Sequence, residues 1–331
     1  MQLHCGREFR ISAAKALRTT PVFDTYWRFA AERQEIFFRR VSGFAAPWTA
    51  DPILASYRFT NVYRASDRVS QYLIRNVIYE GDQSGEEVFF RILLFKLFNR
   101  IETWELLQCK VAPISWRTFH LGRYVALLDA EFENGRTLYS PAYIMPSPPF
   151  GSVRKHTNHL QLLCAMMRDH APLKISRATT LNDVYTILRS YPSLGDFLAF
   201  QFSIDLNYSG IIDFSEMDFV VAGPGARSGI SKAFHDTAGL IEEDVIRGVA
   251  DCADREFEKR GLSFRRLWGR SLQLIDCQNL FCEVDKYSRV AHPEFSGTGR
   301  ARIKQKFVAA HNLVPQWYPP KWGLSTPEQF A

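Results

Sequence analysis

One stretch of the chain, Glu86 to Leu107, is apolar on almost every face when it is wound as a helix. It predicts one long helix, and a helix that is apolar all round is buried among other elements. Alternation at every second residue, which is typical of strands, is rare in the rest of the sequence. The expected fold is therefore mainly α, with short extended segments.

Apolar residues recur at helical spacing along most of the chain. Asp51 followed by Pro52 is a helix start, because an acid caps free amides and proline suits the first helical position. Further helices are predicted over residues 23–40, 52–79, 155–171, 182–190, 194–206, 224–235, 242–259 and 264–290, the second with a break near 60–61. The proline- and aromatic-rich residues 110–151 and 291–331 are expected to be loops and extended segments.

Composition sets the class of protein. A chain of 331 residues that is 46% hydrophobic can bury a sizeable core in one or two domains. Its net charge of +6 permits an anionic partner. No signal peptide, Cys-x-x-Cys pair or membrane-length apolar run is present. We expect a protein of the cytoplasm or nucleus without metal, cofactor or membrane.

Residues 1–20 are expected to form an arm, and residues 326–331 a tail. Residues 21–325 are expected to form one helical domain, either as one body or as lobes 21–150 and 151–325.

A Gly-Pro-Gly turn at Gly223, Pro224 and Gly225 follows an apolar run and precedes small residues that open a helix. Glycine lets another backbone come close, and the amides at a helix start attract phosphate. Arg227 would add a charge. The pattern matches a helix-hairpin-helix element at 218–235 that holds a DNA backbone through Gly223, Gly225, Ala226 and Arg227. A tight helix–helix turn without a ligand is the alternative.

Several polar groups stand within or beside apolar segments, where they are costly unless paired. In the 86–107 helix, Asn99, Arg100 and Glu102 either form an internal ion-pair network or line a pocket in which a buried Glu has a raised pKa. The remaining polar groups lie on a predicted outward-facing stripe or follow helices; they are Asn61, Arg64, Asp67, Arg68, Gln71, Arg75, Asp205, Asn207, Tyr208 and Asp285. Each of them can be interpreted structurally, as a helix cap or an ion-pair partner, or functionally, as a residue that contacts a substrate or phosphate.

Cations recur at every second residue at Arg300, Arg302, Lys304 and Lys306. On an extended strand they point the same way and can follow a phosphate backbone, or protect a solvated edge. The aromatic residues after them, Trp317, Tyr318 and Trp322, either stack on unpaired bases or pack the tail onto the protein.

Two further patterns concern metals and nucleotides. His156 and His159 lie three residues apart, a spacing compatible with a metal pair, but without a third ligand they are interpreted as surface histidines. The chain has no Gly-x-x-x-x-Gly-Lys-Ser/Thr loop, no Gly-x-Gly-x-x-Gly after a strand and no zinc-deaminase signature. These patterns disfavour a P-loop kinase, a dinucleotide-binding domain and a zinc deaminase.

Short blocks spread over residues 20–325 together resemble a known family. They are Tyr26-Trp27-Arg28-Phe29, Glu32-Arg33-Gln34, Pro47-Trp48-Thr49, Asp51-Pro52-Ile53-Leu54, Arg58 to Arg64, Asp67-Arg68, Phe98-Asn99-Arg100, Glu102-Thr103, Asp205 to Tyr208, Gly223 to Ala226, Gln278 to Tyr287 and Tyr318 to Trp322. The chain is similar to the 5-hydroxymethyl-deoxyuridine DNA kinase helical-domain family and to the glutamyl- or putrescinyl-thymine pyrophosphorylases, the amino acid:DNA transferases of thymine hypermodification.

The resemblance implies a helical fold related to helix-hairpin-helix DNA glycosylases, with DNA as a partner. It implies that a separate P-loop kinase phosphorylates 5-hydroxymethyluracil in DNA, and that this chain replaces the phosphate or pyrophosphate with an amine of an amino acid or polyamine. The base must leave the stack, which costs a few kcal/mol.

The implied reaction assigns roles to candidate residues. Arg64, Arg68 and Arg100 would stabilise the departing phosphate, and Asn61, Asn99, Asn207 and Tyr208 would bind the substrate. Glu102 or Asp205 would deprotonate the amine, with Asp67 and Asp285 as further candidates. Two alternatives stay open. The chain is a DNA-binding module without catalysis, or it is a glycosylase with Asp244, downstream of Gly225, as its acid.

Overall fold

A computed structural model describes residues 8–12, 15–295, 302–308 and 315–324. The mainly α fold is confirmed: the described residues form two short strands and fourteen α-helices. They divide into two compact units. The first contains residues 1–67, 220–316 and 324–331, and the second contains 68–219 and 317–323. Both units are discontinuous in sequence. Residue 150, at which the two predicted lobes would meet, lies inside the second unit.

The first unit contains two antiparallel strands and six helices. The strands are β1 (Glu8–Arg10) and β2 (Ala16–Arg18), with Phe9 opposite Leu17. The helices are α1 (Pro21–Val41), α2 (Pro52–Ser56), α11 (Pro224–Ala233), α12 (Glu242–Asp251), α13 (Ala253–Lys259) and α14 (Leu274–Ala291), with single 3₁₀ turns at Arg64–Ser66 and Pro293–Phe295. As predicted, Asp51 caps α2, and its carboxylate accepts hydrogen bonds from the Ile53 and Leu54 amides.

The aromatic part of the core of the first unit lies where α1 packs against α13 and α14. Phe23, Tyr26 and Trp27 of α1 are almost completely buried. The Tyr26 ring lies 4.6 Å from the ring of Phe281 on α14, and the Trp27 ring lies 4.9 Å from that of Phe257 on α13. Aromatic side chains bury large areas, so these contacts join the beginning of the unit's sequence to its end through apolar packing.

The second unit contains eight helices. They are α3 (Arg68–Leu73), α4 (Gly85–Phe98), α5 (Ile101–Val111), α6 (Leu121–Glu133), α7 (Lys155–Arg168), α8 (Ala171–Ser176), α9 (Leu181–Arg189) and α10 (Asp196–Asn207), with a π-helical turn at Ile74–Ile78 and a 3₁₀ turn at Pro320–Trp322. Twelve of the fourteen residues of α4 are buried, which confirms its predicted central position in the unit. No helix in the described ranges is long and apolar enough to cross a membrane.

Several sequence-based boundaries are wrong. The long helix expected at 86–107 is two helices, because Asn99 adopts the left-handed conformation at φ 49° and ends α4. Helix α6 lies within a segment expected to be loops, and residues 264–273 are not helical. The helix expected to run to residue 79 is divided into α2, a 3₁₀ turn, α3 and the π-helical turn.

Candidate functional site

The break between α4 and α5 separates two groups of polar side chains within the second unit. Asn99 donates its amide to Phe95 O at 2.7 Å and terminates α4. Arg100 then returns to an extended conformation and precedes the first turn of α5. Asn99 and Glu102 therefore do not share one helical face, as a continuous helix would require. Asn99 is buried, whereas Glu102 is largely exposed.

Glu102 lies between two arginines that the sequence also singled out. Its two carboxylate oxygens lie 3.8 Å from Arg68 Nη2 and 3.4 Å from Arg100 Nε. The side chains of Arg68, Arg100 and Glu102 are 58%, 28% and 48% exposed. The expectation of a buried Glu102 is therefore wrong. In these three side chains, which we call the Arg68–Glu102 cluster, the exposed carboxylate of Glu102 lies beside the exposed guanidinium of Arg68 and the partly buried guanidinium of Arg100.

A second group is deeply buried around Lys96. Its Nζ lies 3.1 Å from Asp205 Oδ2, donates to Asn99 Oδ1 at 2.8 Å, and stands 5.2 Å from the centre of the Tyr143 ring. Lys96 is 3% exposed and Asp205 is 0% exposed. Two predicted site residues therefore meet at a lysine that the sequence reasoning missed, although a charge inside the apolar run of α4 was a visible signal. Loss of one partner from a buried ion pair of this kind strongly destabilises the folded protein, because the other charge is left buried and uncompensated.

The Asn207 side chain contacts main-chain groups of its own unit, and the Tyr208 ring contacts another aromatic ring there. The Asn207 side chain donates to Phe214 O and accepts from Phe214 N, both at 2.9 Å. Tyr208 is buried, and its ring lies 5.6 Å from that of Trp322. These contacts fix the chain after α10, and substrate binding by either residue stays a prediction.

In the first unit, Asn61 and Asp67 are brought together by Arg33 of α1. Arg33 Nη2 donates to Asn61 Oδ1 at 2.6 Å, and the Asn61 amide donates to Asp67 Oδ1 at 2.7 Å. Burial raises the pKa of Asp67 to about 7, although the Asn61 hydrogen bond and the charge of Arg33 lower it. Burial also lowers the pKa of Arg33 to about 10. A carboxyl with a pKa near neutrality can act as an acid or a base.

The polar stripe expected to face outward from Asn61 to Arg75 does not form, because the chain there is not one helix. Arg64 is 3% exposed, and its amide donates to Asp276 Oδ1 at 2.8 Å. Gln71 is 2% exposed, and its Oε1 accepts from the Trp317 amide at 2.8 Å. Of the stripe residues that follow the 3₁₀ turn, Arg68 and Arg75 are exposed as expected, whereas Gln71 is not.

Asp285 joins α11 to α14. Its carboxylate accepts from Ser228 Oγ at 2.6 Å and lies 2.9 Å from Lys232 Nζ and 2.7 Å from Arg289 Nη2. Burial alone would raise the pKa of Asp285, but the hydrogen bonds from Lys232, Ser228 and Arg289 bring it below its ordinary value. The contacts give Asp285 a structural role in this unit, and a part in catalysis stays a prediction.

The Gly-Pro-Gly turn begins α11 but is not preceded by a helix. Residues 208–223 lie outside helices, so the helix-hairpin-helix expected at 218–235 has only its second helix. Gly223 and Ala226 are buried, whereas Arg227 is exposed. A Cβ at Gly225 would collide with Cys282 Sγ, and one at Gly229 with the Phe281 carbonyl. The close approach that glycine permits is thus made by α14, and phosphate binding at this helix start stays a prediction.

Exposed cations follow an extended segment of the first unit. Arg302, Lys304 and Lys306 are exposed, whereas Ile303 between them is 7% exposed. The Phe307 amide donates to Ser56 O, and the Arg58 amide donates to Gln305 O, both at 3.0 Å. Arg300 lies outside the described residues. The aromatic residues beyond this segment pack within the second unit, where the Trp317 ring lies 4.7 Å from that of Tyr79.

The two predicted surface histidines are buried instead. His156 Nε2 lies 2.8 Å from Asp129 Oδ1, and His159 is held by the Tyr139 hydroxyl at 2.7 Å and Pro146 O at 2.9 Å. Burial lowers the pKa of His159 to about 4. Asp244, the open glycosylase alternative, is exposed in the first turn of α12.

Comparison with known proteins gives one family and one curated relative. Residues 20–297 match the family described as "5-hmdU DNA kinase, helical domain". A protein of Bacillus phage SP10 named "5-hmdU DNA kinase" is 28% identical over 288 residues, which cover 80% of this chain and 45% of the relative. The chain therefore spans less than half of that relative's length. No solved structure matches the chain.

Proposed function

The chain belongs to the 5-hmdU DNA kinase helical-domain family, and from this premise we propose that it modifies 5-substituted uracil in DNA. The substrate is a phosphorylated 5-hydroxymethyluracil, and the reaction replaces phosphate or pyrophosphate with the amine of an amino acid or polyamine. The kinase activity named for the phage protein is not transferred to this chain, which covers less than half of it. A separate P-loop kinase would supply the phosphorylated base.

The proposed reaction forms one carbon–nitrogen bond and breaks one carbon–oxygen bond. The amine nitrogen attacks the methylene carbon attached to C5 of the pyrimidine. The phosphate or pyrophosphate leaves with the electron pair of the C–O bond, and the proton lost by the nitrogen passes to a carboxylate. The protein therefore has to stabilise a departing anion and accept a proton.

The Arg68–Glu102 cluster is the observation that carries this proposal. Guanidinium groups bind phosphate through charge-assisted hydrogen bonds, and two of them lie on either side of one carboxylate. A phosphate that engages Arg68 and Arg100 would draw them away from Glu102 and leave this carboxylate free to take the proton. Arg68 and Glu102 are exposed and Arg100 is partly exposed, whereas Asp205 is completely buried beside Lys96. We therefore prefer Glu102 to Asp205 as the base.

A duplex that contains 5-phosphomethyl-deoxyuridine tests the reaction. It is incubated with the protein and a mixture of amino acids and polyamines, then digested and analysed by nucleoside mass spectrometry. We expect a nucleoside whose mass shows an amine in place of the phosphate. In Glu102→Gln the rate should fall by about 10²–10⁴-fold, the usual contribution of an acid–base group.

Glu86→Gln is the matched control, because Glu86 is an exposed acid of α4 in the same unit. It should keep the wild-type rate. Full activity of Glu102→Gln would remove Glu102 as the base. An unmodified nucleoside with retained DNA binding would favour a non-catalytic DNA-binding module, which the exposed cations at 302–306 also suit. Release of a free base would instead favour a glycosylase.

A further inference from the structure

The loop after α1 holds a large aromatic side chain in solvent. Phe44 is 65% exposed, although full burial of such a side chain would contribute about 1.5–3 kcal/mol. The loop is well fixed. The Phe44 amide donates to Arg39 O at 3.0 Å, and the Phe44 carbonyl accepts from Trp48 Nε1 at 2.7 Å. The exposure of Phe44 thus belongs to a loop whose backbone is hydrogen-bonded on both sides of this residue.

The same loop is joined to the segment that carries the exposed cations. The Trp48 ring lies 6.2 Å from the Phe307 ring, and the Arg40 guanidinium lies over the Trp48 ring at 5.1 Å. Phe307 lies in the extended segment 302–308, whose Arg302, Lys304 and Lys306 are exposed. Arg58, which pairs with this segment through its amide, is exposed as well.

Three carboxylates of the loop and of the adjoining part of α1 have partners within the protein, one an arginine and two hydroxyl groups. Glu35 pairs with Arg39 at 3.0 Å, Glu32 accepts from the Thr49 hydroxyl at 2.5 Å, and Asp51 accepts from the Tyr287 hydroxyl at 2.6 Å. The loop thus carries one exposed aromatic ring and contacts a segment with three exposed cations. A polyanion that also offers flat apolar surfaces between its charges complements both features.

We infer that Phe44 is a wedge that enters a base step of double-stranded DNA while Arg58, Arg302 and Lys304 bind the flanking phosphates. Apolar side chains that enter a base step unstack it, and a ring that stacks on a base contributes about 1–3 kcal/mol. This inference rests on the proposed function for its choice of DNA. It adds the means by which the duplex is opened, so that the modified pyrimidine can leave the stack.

A duplex with 2-aminopurine beside the 5-substituted pyrimidine tests the wedge. Unstacking of 2-aminopurine raises its fluorescence, so wild-type protein should increase the signal and Phe44→Ala should not. The affinity of Phe44→Ala for this duplex should be about 5- to 150-fold lower, which corresponds to the stacking contribution of one base. Phe44→Trp should restore both signals.

The loss should be much smaller for a duplex that carries an abasic site at this step, because its stacking is already broken. Phe132→Ala, which removes another exposed aromatic ring, is the control and should behave as wild type. Equal fluorescence and affinity for wild type and Phe44→Ala would overturn the wedge without affecting the proposed reaction. Loss of duplex binding in Phe44→Ala would support the wedge even if no amine is transferred. Absence of any DNA binding by the wild type would overturn both proposals.

Discussion

At the scale of single residues, Asp67 shows why burial cannot be read from sequence spacing. It was expected beside Arg64 and Arg68 on an exposed helix face, but it accepts the Asn61 amide in a loop held by Arg33. The type of residue was predictable, whereas its surroundings depend on Arg33 of α1, which the local pattern around Asp67 does not reveal. The same holds for Asp205, whose partner Lys96 lies on another helix.

The raised pKa of Asp67 predicts a pH-dependent stability. The folded protein keeps a proton on Asp67 up to about pH 7, whereas the unfolded chain releases it near 3.8. The contribution of Asp67 to the free energy of unfolding is therefore largest below about pH 4, and it is lost as the pH rises to 7. Asp67→Asn cannot ionise and should be more stable than wild type at pH 8 by up to about 4 kcal/mol, since the pKa difference between 3.8 and about 7 corresponds to about 1.36 kcal/mol for each unit.

Urea unfolding of the two proteins at pH 4, 6 and 8 measures this effect. The difference between them should vanish at pH 4. Asp251→Asn, at an exposed position on α12, should follow the wild-type profile. A constant difference between Asp67→Asn and wild type across the three pH values would contradict the shift.

At the scale of helices, local sequence signals were sufficient to predict helix ends where the capping residues are strong. Asp51 and Pro52 located the start of α2, and the predicted bounds of α9 and α10 lie within two residues of those observed. The break at Asn99 was missed because the apolar pattern continues across it, while the left-handed turn depends on one residue. Helix α6 was missed because the prolines and aromatic residues around it resemble a loop.

The contact between α11 and α14 predicts two different responses to added methyl groups. Gly229→Ala would force a Cβ against the Phe281 main-chain carbonyl, which cannot move without shifting α14. We expect a loss of about 1–3 kcal/mol in the free energy of unfolding, as in other overpacked cores. Gly225→Ala meets the Cys282 sulfur instead, so Cys282→Ala should restore part of its loss.

Urea unfolding of the single variants and of the double variant gives the coupling energy directly. Gly210→Ala is the control, because no atom lies within 4 Å of its Cβ position. Additive losses for Gly225→Ala and Cys282→Ala would show that the sulfur is not the obstacle. Wild-type stability of Gly229→Ala would contradict the close contact between the helices.

At the scale of the whole molecule, the net charge of +6 permits an anionic partner but does not locate the surface that would bind it. Spacing predicted that Arg302, Lys304 and Lys306 point the same way, and their shared exposure agrees. The division into units was not predictable, because the chain leaves the first unit after residue 67 and returns at 220. Such a path depends on contacts between distant segments rather than on local composition.

The exposed cations Arg302, Lys304 and Lys306 predict a salt dependence of DNA binding. Each phosphate contact contributes about 0.9 to the slope of log K against log salt concentration. Replacement of Arg302 and Lys304 by Gln should therefore reduce the slope by about 1.8 if each of them binds one phosphate. Binding titrations between low and high salt measure it. The control Arg168→Gln/Arg177→Gln has the same net charge and exposed positions, and it should keep the wild-type slope; an equal decrease in both variants would exclude localised contacts.

The pairing of α1 with α14 also affects how the chain folds while it is being synthesised. The aromatic face of α1, with Tyr26 and Trp27, is covered by residues that follow it by most of the chain length. At ordinary elongation rates, α14 leaves the ribosome roughly 10–50 s after α1. During this interval the nascent chain would expose an apolar aromatic surface. Its expression yield should therefore rise when a chaperone that binds such surfaces is supplied.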